Sequence, residues 1–377
     1  MAPDAAENLA AEIAVLGAGC AGLSLAAAAS PQQADQMLLV GPPDDRPSHI
    51  WGFWHMPWLD QPARLARKSW QKWLIATHAG SHIQQASQHP YHALDSAVWL
   101  ADCRARIARN RLRHIASPAE RRKDGQLWAG PQPLSASRVL DARPPSARPG
   151  ILLQHFLGYE ITAPQDLFDP AVARLMDFRT DQSKGLNFIY LLPFDRRRAL
   201  VESTFFSAQP QPEPVYDQLI RSYLKEQFGL TGFEITHREK GLIPMGAVQP
   251  HDPLIAERFG GNGGAVRASS GYAFGFIQKQ IARMLEGGTA IARPHPPHRR
   301  FDIWMDQVFL RVLATDPAKD LASAPALFLA LARALDGDAM ARFLSGIAQP
   351  ADYLAVLRAM PTRRFLSAAL AGPGRQP

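Results

Sequence analysis

Two glutamates lie in or beside mainly apolar segments, where a carboxyl group can act as a proton donor. Glu202 occurs within residues 199–206 (ALVESTFF), a segment that predicts a β-strand. Burial among such side chains disfavours the carboxylate, so the protonated acid persists near neutral pH. Strand alternation leaves a second possibility open, in which Glu202 points outward on the polar face of a hairpin.

Glu239 is the second acidic candidate, and it precedes the apolar segment 242–245 (LIPM). Its neighbours Arg238 and Lys240 favour the ionised form of the carboxyl group. Glu239 is therefore predicted to act as a carboxylate near a developing positive charge, or to form a salt bridge.

A glycine-rich motif near the N-terminus, GAGCAG at 17–22, predicts a dinucleotide site. It joins a predicted strand at 12–16 to an Ala/Leu-rich helix, and a second strand is predicted at 37–40. In such a unit Gly17 makes the tight turn, Gly19 permits close approach of a pyrophosphate, and Gly22 packs the helix on the strand. Cys20 and Ala21 belong to the helix N-terminus on which the anion rests.

The acidic residue that usually binds the nucleotide ribose is missing from its expected place. About 20 residues after the motif, the chain has GPPDD at 41–45. Either Asp44 or Asp45 reaches back to the ribose, or the ribose is held in another way. The departure concerns the adenosine end of the site and leaves the phosphate end unaffected.

The elements that position these residues suggest an interleaved α/β chain of two or three structural units. Pro/Gly-rich joints at 143–150, 209–214 and 294–298 divide the 377 residues. We predict the main cofactor domain at 1–150, a mostly substrate-binding part at 151–255, a return to the cofactor domain at 256–300, and a helical part at 301–377. Strands at 188–193 and 199–206 predict a β-hairpin, and apolar spacing predicts helices at 303–313, 326–335 and 353–360.

Composition narrows the class of protein. With 46% hydrophobic residues the chain is expected to fold around a large core, and a net charge of +7 favours anionic partners. Cys20 and Cys103 are the only cysteines, which excludes a disulfide framework and fits a reducing cytoplasm. The histidines form no metal-binding spacing, so no metal is predicted. The uncharged segment 13–34 follows acidic residues and is not predicted to be a signal peptide.

Seven further segments, in this order along the chain, make it resemble the lycopene β-cyclase family, flavoproteins that close the end rings of carotenoids. They are HIWGF at 49–53, VLDAR at 139–143, LMDFR at 175–179, LVEST at 200–204, EKGLIPM at 239–245, GG at 263–264 with SGYAF at 270–274 and Gln278, and FLRVL at 309–313. Two departures are modest. Pro144 stands where the family usually has glycine, and Ser203 replaces a second acid after Glu202, which suggests that one carboxylate is needed there.

The resemblance implies a Rossmann-type FAD-binding domain interleaved with a mixed-sheet and helical substrate domain, as in flavin monooxygenases and reductases. It implies a redox-neutral ring closure of lycopene through a one-ring intermediate, γ-carotene, to β-carotene, with reduced FAD required and NAD(P)H as electron source. A proton added to the terminal double bond starts the reaction, Glu202 being the implied acid. The final proton acceptor is either Glu239 or the flavin.

The same resemblance places further residues at the cofactor. Asp141 and Arg143, two positions apart on one strand face, are implied at the FAD edge, although a structural ion pair is the plain alternative. Gly263, Gly264 and Gly271 permit backbone approach to a flavin or pyrophosphate. Tyr272 then leads into a predicted helix whose N-terminus is aimed at the flavin.

Basic residues and tryptophans recur between residues 51 and 113. They are Trp51, Trp54, Trp58, Trp70 and Trp73, with Arg64, Arg67, Lys68 and Lys72, and then Arg104, Arg106, Arg109, Arg111 and Arg113. Because a C40 hydrocarbon cannot be delivered through water, we predict a peripheral contact with an anionic membrane surface, and other carotenoid enzymes as possible partners. Nucleic acid is not predicted, since no reader motif is present. A solvated face is the alternative for each arginine.

Two other classes of function remain open from the sequence. A flavin hydroxylase or isoprenoid reductase of the same fold would oxidise NAD(P)H in proportion to product. A prenyl-binding escort protein would bind an isoprenoid unchanged and would not need Glu202.

Overall fold

The computed structural model describes residues 8–44, 47–314 and 324–370. The strands are β1 Leu9–Leu16, β2 Met37–Val40, β3 Ile50–Trp54, β4 Lys68–Trp70, β5 Lys72–Thr77, β6 Gly80–Gln85, β7 Tyr91–Asp95, β8 Arg113–Ile115, β9 Ala119–Arg121, β10 Leu127–Ala129, β11 Gln132–Asp141, β12 Ser146–Ala147, β13 Leu153–Thr162, β14 Val172–Asp177, β15 Asn187–Pro193, β16 Arg198–Ser207, β17 Glu234–Pro244, β18 Val248–Gln249 and β19 Glu257–Arg258. The helices are α1 Cys20–Ala28, α2 Pro31–Asp35, α3 Asp60–Arg64, α4 Ser96–Arg109, α5 Glu213–Phe228, α6 Phe274–Leu285, α7 Arg300–Ala314, α8 Ala324–Ala334, α9 Gly337–Leu344, α10 Pro350–Ala359 and α11 Thr362–Leu370.

The first sheet carries the glycine-rich motif. Its strands β8, β2, β1, β11 and β19 run parallel. Strand β10 pairs antiparallel with β11, and β9 pairs antiparallel with β10. Residues 13–16 of β1 are all buried, as expected for a central strand covered on both faces. Ser24 of α1 accepts hydrogen bonds from Trp99 of α4 and Gln278 of α6, which fixes α1 between these two helices.

The second sheet has the order β17-β13-β16-β15-β14-β5-β6. Helix α5 packs on one face, against odd-numbered side chains such as Leu157 and Val201. Even-numbered side chains such as Tyr190 and Glu202 point to the opposite face, where they line a cavity. Strand β16 is therefore buried on both faces, and the outward orientation considered for Glu202 does not occur.

The chain passes between the two sheets more than once. Strands β5 and β6 lie in the second sheet although they fall inside the predicted cofactor segment 1–150, and β19 returns to the first sheet. The predicted hairpin is present as β15 and β16, and the three predicted C-terminal helices are present as α7, α8 and α10. The domain limits at 150, 255 and 300 stay predictions.

The sequence interpretation of two tryptophans is wrong. Trp70 and Trp73 were expected to lie beside basic residues at a membrane surface, but they are 2% and 0% exposed and belong to the main core. The neighbouring Arg67 instead binds Glu160 and stacks over Phe194. Within the described residues, none of the helices combines the length and apolar character needed to cross a bilayer.

Candidate active site

The three glycines of the N-terminal motif differ in their surroundings in the way a dinucleotide site requires. Gly17 has a φ of +104°, and a Cβ there would lie 3.0 Å from the Arg143 nitrogen. A Cβ on Gly22 would overlap the Gly17 carbonyl oxygen, whereas a Cβ on Gly19 would meet nothing within 4 Å. Gly19 therefore leaves open space at the start of α1, where backbone N–H groups favour an anion.

A second glycine-rich loop crosses the start of α1. A Cβ on Gly260 would lie 2.5 Å from Ala21, Gly264 has a φ of +76° with open space around it, and Gly271 has a φ of +73° beside Gln154. A Cβ on Gly263 would lie 2.5 Å from the Arg258 carbonyl oxygen. The loop then leads through Tyr272 into α6, as predicted from the sequence.

Two buried polar atoms on this loop have no hydrogen-bond partner among the described residues. They are Asn262 Oδ1 and Ser270 Oγ, and Ser270 also lines the cavity. Orphaned polar atoms, an open glycine and a free helix N-terminus are the features that a flavin dinucleotide would satisfy. The chain therefore fits this class of cofactor at the loop formed by residues 17–22 and 260–272.

Asp141 and Arg143 lie directly behind the glycine turn. Arg143 donates to both carboxylate oxygens of Asp141, each at 2.8 Å, and its remaining guanidinium nitrogen binds the Ala119 carbonyl. The pair supports the backbone around Gly17, and its contact with a cofactor stays a prediction.

Burial raises the pKa of the Cys20 thiol, with a smaller contribution from Asp44, so Asp44 lies near the motif. Asp45 lies outside the described residues.

Glu202 and Glu239 meet across the middle strand of a three-strand row. Gly158 of β13 pairs with Glu202 of β16 on one side and with Glu239 of β17 on the other. Directly paired residues project from the same face of a sheet, so both carboxyl groups lean over the glycine. A Cβ on Gly158 would lie 2.7 Å from Cγ of Glu202 and 3.2 Å from Cγ of Glu239, so glycine makes room for the pair.

The environment of Glu239 differs from the one predicted. Arg238 stacks on Tyr159 and Lys240 binds the exposed Glu213, so neither supplies its countercharge. Instead, Glu239 Oε2 accepts a hydrogen bond of 2.9 Å from the Ile50 backbone N–H and lies 3.5 Å from His49 Nδ1. Glu239 Oε1 has no donor among the described groups.

These surroundings favour the protonated form of Glu202. Burial, and then repulsion by Glu239, holds the pKa of Glu202 well above its ordinary value of 4.5. A proton on Glu202 lets it donate to Glu239, which already accepts from the backbone. The two carboxyl groups therefore lie close enough to share a proton, and the raised pKa makes Glu202 the member that holds it.

Three tyrosines extend the same polar patch toward the cofactor loop. Tyr190 pairs directly with Glu202 across the sheet, Tyr91 Oη lies 2.9 Å from Tyr190 Oη, and Tyr272 Oη lies 3.2 Å from Tyr91 Oη. Burial raises the pKa of all three hydroxyls well above 10, so they are neutral. A Cβ on Gly52 would overlap the Tyr91 hydroxyl, so this glycine lets β3 close over the cluster.

One cavity of about 920 Å³ joins these features. Cys20 and residues 269–274 lie on its cofactor side, Glu202 and Tyr190 on its floor, and aromatic and aliphatic side chains on most of its remaining wall. Trp54 contacts Trp73, Tyr91 and Tyr272 edge-on, with ring centroids 4.9 to 5.8 Å apart. The cavity is suited to a long apolar molecule that meets one buried acid and many aromatic faces.

Sequence reasoning missed four residues of this site. Gly52 lies in the segment HIWGF and Tyr190 in the predicted strand 188–193, but neither was given a role. Tyr91 and Gly158 lie in strands that were not predicted. An isolated glycine inside an apolar strand is a known sign of close approach, and Gly158 was that signal.

Comparison with solved structures defines the class. The chain superimposes with a TM-score of 0.57 and 11% identity on a geranylgeranyl bacteriochlorophyll reductase-like protein from Thermoplasma acidophilum, covering 97% of both chains. A flavin-dependent halogenase from Xanthomonas campestris gives a TM-score of 0.53 and 12% identity over 98% of this chain and 100% of that one. The fold is thus the flavoprotein α/β fold predicted from the sequence.

Within this class, the family described as lycopene cyclase protein matches residues 12–370, and the chain belongs to that family. A lycopene beta-cyclase of Pantoea ananas is 24% identical over 95% of this chain and 96% of its own length. A lycopene beta-cyclase of Paracoccus sp. (strain N81106 / MBIC 01143) is 29% identical over 62% of this chain. That match spans about 61% of the Paracoccus protein.

Proposed function

We propose that this protein is a carotenoid cyclase that closes the ends of lycopene to β-rings, giving γ-carotene and then β-carotene. The observation that carries the proposal is a buried glutamate, Glu202, at the floor of a large apolar cavity that reaches the dinucleotide loop, where burial raises the pKa of its carboxyl group. Membership of the lycopene cyclase family and the names of the two relatives support the same substrate.

In the proposed reaction, Glu202 donates a proton to the terminal double bond of the substrate, and the neighbouring double bond attacks the resulting tertiary cation. Loss of a ring proton then gives the β-ring, so substrate and product are isomers. The apolar wall excludes water, which would otherwise trap the cation as an alcohol. Trp54 and the neutral hydroxyls of Tyr91 and Tyr190 present electron-rich groups to the positive charge.

Glu239 is proposed to help Glu202 regain its proton after ring closure. Once Glu202 has given up its proton, the charge on Glu239 makes a second carboxylate beside it unfavourable, which favours return of a proton to the pair. We propose that the carboxyl pair takes part in accepting the ring proton, so that the acid is restored after each ring closure.

FAD is the proposed cofactor, held by Gly17, Gly19, the first turn of α1 and the loop 260–272, with NAD(P)H as electron source. When bound in its reduced form, FAD supplies an electron-rich ring that stabilises positive charge. The open space at Gly19 and the orphaned Asn262 and Ser270 support this assignment.

The direct test is expression of the chain in a cell that accumulates lycopene, followed by chromatography of the extracted pigments. Conversion to γ-carotene or β-carotene is expected. Unchanged lycopene in the presence of folded, FAD-loaded protein would contradict the proposal and favour a hydroxylase, reductase or escort protein.

Cofactor binding at the glycine motif can be separated from folding. Gly19→Ala adds a methyl group to open space, so the unfolding temperature of the apoprotein should not change, whereas FAD affinity should fall at least tenfold. Gly22→Ala is the contrast, because its methyl group overlaps the Gly17 carbonyl and should destabilise the apoprotein itself. Flavin fluorescence titration and thermal unfolding measure both. Unchanged FAD affinity in Gly19→Ala would contradict the assignment.

The pH dependence of the rate tests the coupling between the two carboxyl groups. Activity needs protonated Glu202, so it is expected to fall as pH rises through the raised pKa of this group. Glu239→Gln removes the second cause of that raised pKa but keeps an acceptor for the Ile50 N–H. The alkaline limb of the rate profile should therefore move to lower pH. An unmoved limb would show that Glu239 does not set the pKa of the acid.

We further propose a cytoplasmic protein that associates with the membrane surface, because its substrate dissolves only in lipid.

A further inference from the structure

Three C-terminal helices form one continuous surface over the cavity. Helix α11 packs on α7, where Arg311 donates to the Ala368 carbonyl at 2.9 Å. Helix α10 joins α7 through the Phe301 and Tyr353 rings, whose centroids lie 5.0 Å apart, and through the Tyr353 hydroxyl, which donates to Asp302. We call α7, α10 and α11 the C-terminal face.

The C-terminal face carries most of the exposed large apolar side chains of the described residues. Seven of eleven are Phe301, Ile303, Trp304, Leu354, Leu357, Leu366 and Leu370, which are 39 to 78% exposed. Phe301 and Trp304 stack at 5.5 Å. Such a concentration of exposed apolar side chains on three packed helices indicates an interaction site.

On the C-terminal face the acidic residues are buried and the exposed charged residues are basic. The acidic residues of its three helices, Asp302, Asp306 and Asp352, are 1%, 5% and 4% exposed and bind Tyr353, Arg267 and Arg342, respectively. The exposed charged residues on the same helices are Arg300, Arg358 and Arg363. Apolar side chains bordered by arginines match an anionic lipid surface, which attracts each basic residue by about 1 kcal/mol.

The apolar patch is continuous with the cavity. Trp304, Leu357 and Leu366 line the cavity and are also 41%, 50% and 57% exposed, so the cavity reaches the surface between these helices. An apolar molecule that entered here would reach Glu202 along an apolar wall.

We propose that the C-terminal face docks on an anionic phospholipid bilayer, with the cavity mouth open toward the acyl chains. This inference rests on the proposed function for the nature of the substrate, but the docking itself does not depend on catalysis. It also relocates the membrane contact, which the sequence had suggested for the region of Trp70 and the arginines of α4.

Vesicle flotation tests the docking without any substrate. The full FAD-loaded chain is mixed with vesicles of phosphatidylcholine containing phosphatidylglycerol, and with vesicles of phosphatidylcholine alone. We expect binding to the anionic vesicles that weakens as salt is added. Arg358→Gln with Arg363→Gln should lower the partition coefficient about 30-fold, which is about fivefold for each arginine removed.

The matched control changes the same charge elsewhere. Arg104→Gln with Arg109→Gln removes two exposed arginines from α4 and should leave vesicle binding unchanged. Equal losses in the two double variants would overturn the proposal, as would equal binding of the wild type to neutral vesicles.

Leu354→Gln with Leu370→Gln, which removes two exposed apolar side chains outside the cavity wall, should also weaken binding. If the wild type formed a dimer in the absence of vesicles and this variant did not, the face would instead be assigned to contact with a second copy of the chain.

Activity in two substrate forms separates this proposal from the proposed function. The arginine variant should convert lycopene in detergent micelles at the wild-type rate and lycopene in anionic vesicles at a rate lowered in proportion to its binding. If the arginine variant kept the wild-type rate in both substrate forms, the docking proposal would be overturned. Absence of turnover by the wild type in both forms would overturn the proposed function and leave the flotation result standing.

Discussion

Glu202→Gln is expected to lower the rate of lycopene cyclisation by about 10³-fold or more, the contribution of a well-placed general acid. The amide keeps the size and shape of the side chain but has no acidic proton to donate to the substrate. FAD should bind as before, because the glycine loops lie on the other side of the cavity from the acid.

The same substitution should not destabilise the protein. The raised pKa means that folded Glu202 keeps a proton that the unfolded chain releases above its ordinary pKa of 4.5. The stabilising effect of this group is therefore lost as pH rises from about 4.5 to its raised pKa. Thermal unfolding should show the variant gaining stability relative to the wild type across that range.

Glu160→Gln is the matched control for the acid. It makes the same chemical change on β13, where the carboxylate binds Arg67 away from the cavity wall, and it should retain cyclisation. Rapid ring closure by Glu202→Gln would refute the assignment of the acid.

Gly158→Ala is expected to reduce cyclisation about 100-fold, the cost of moving a catalytic group by about 1 Å. The new methyl group would lie 2.7 Å from Cγ of Glu202, and Cγ cannot move aside without carrying the carboxyl group with it. The pair would be pushed apart, so its shared proton and the alignment of the acid should be lost together. Pigment conversion by purified protein measures the rate.

Gly246→Ala controls for the general effect of adding a methyl group in this region. Its nearest neighbours would lie 3.9 Å away, on Ile151, so it should keep both fold and activity. Full activity of Gly158→Ala would mean that the spacing of the two carboxyl groups does not matter. Unfolding temperatures of both variants separate a displaced acid from a disrupted sheet.

The local parts of the molecule could be predicted from the sequence. The strand, glycine turn and helix of residues 9–28 depend on contacts between near neighbours, and the observed roles of Gly17 and Gly22 follow from the spacing of the motif. The hairpin that holds Glu202 could also be predicted, because its two strands are joined by a short polar turn at 194–197.

Both glutamates could be named as candidates from the sequence, but their contact across Gly158 could not be predicted, because it depends on strand register. Ser203 had suggested that a single carboxylate suffices, but the second carboxyl group comes from Glu239, two strands away across Gly158. The predicted charge partners of Glu239 were wrong for the same reason: alternation along β17 directs Arg238 and Lys240 away from Glu239, toward Tyr159 and Glu213. The burial of Trp70 and Trp73 likewise reflects long-range packing that composition does not report.

The most direct test of the proposed chemistry is to follow ring closure in D₂O under anaerobic conditions, with reduced FAD limiting and lycopene in excess. We predict many β-rings per reduced flavin with no matching oxidation of the flavin. Because the acid exchanges its proton when the protein is equilibrated in D₂O, we also predict one deuterium in the first ring that each protein molecule closes. One flavin oxidised for each ring, or a first ring that contains no solvent deuterium, would contradict a redox-neutral cyclisation started by the proton of Glu202.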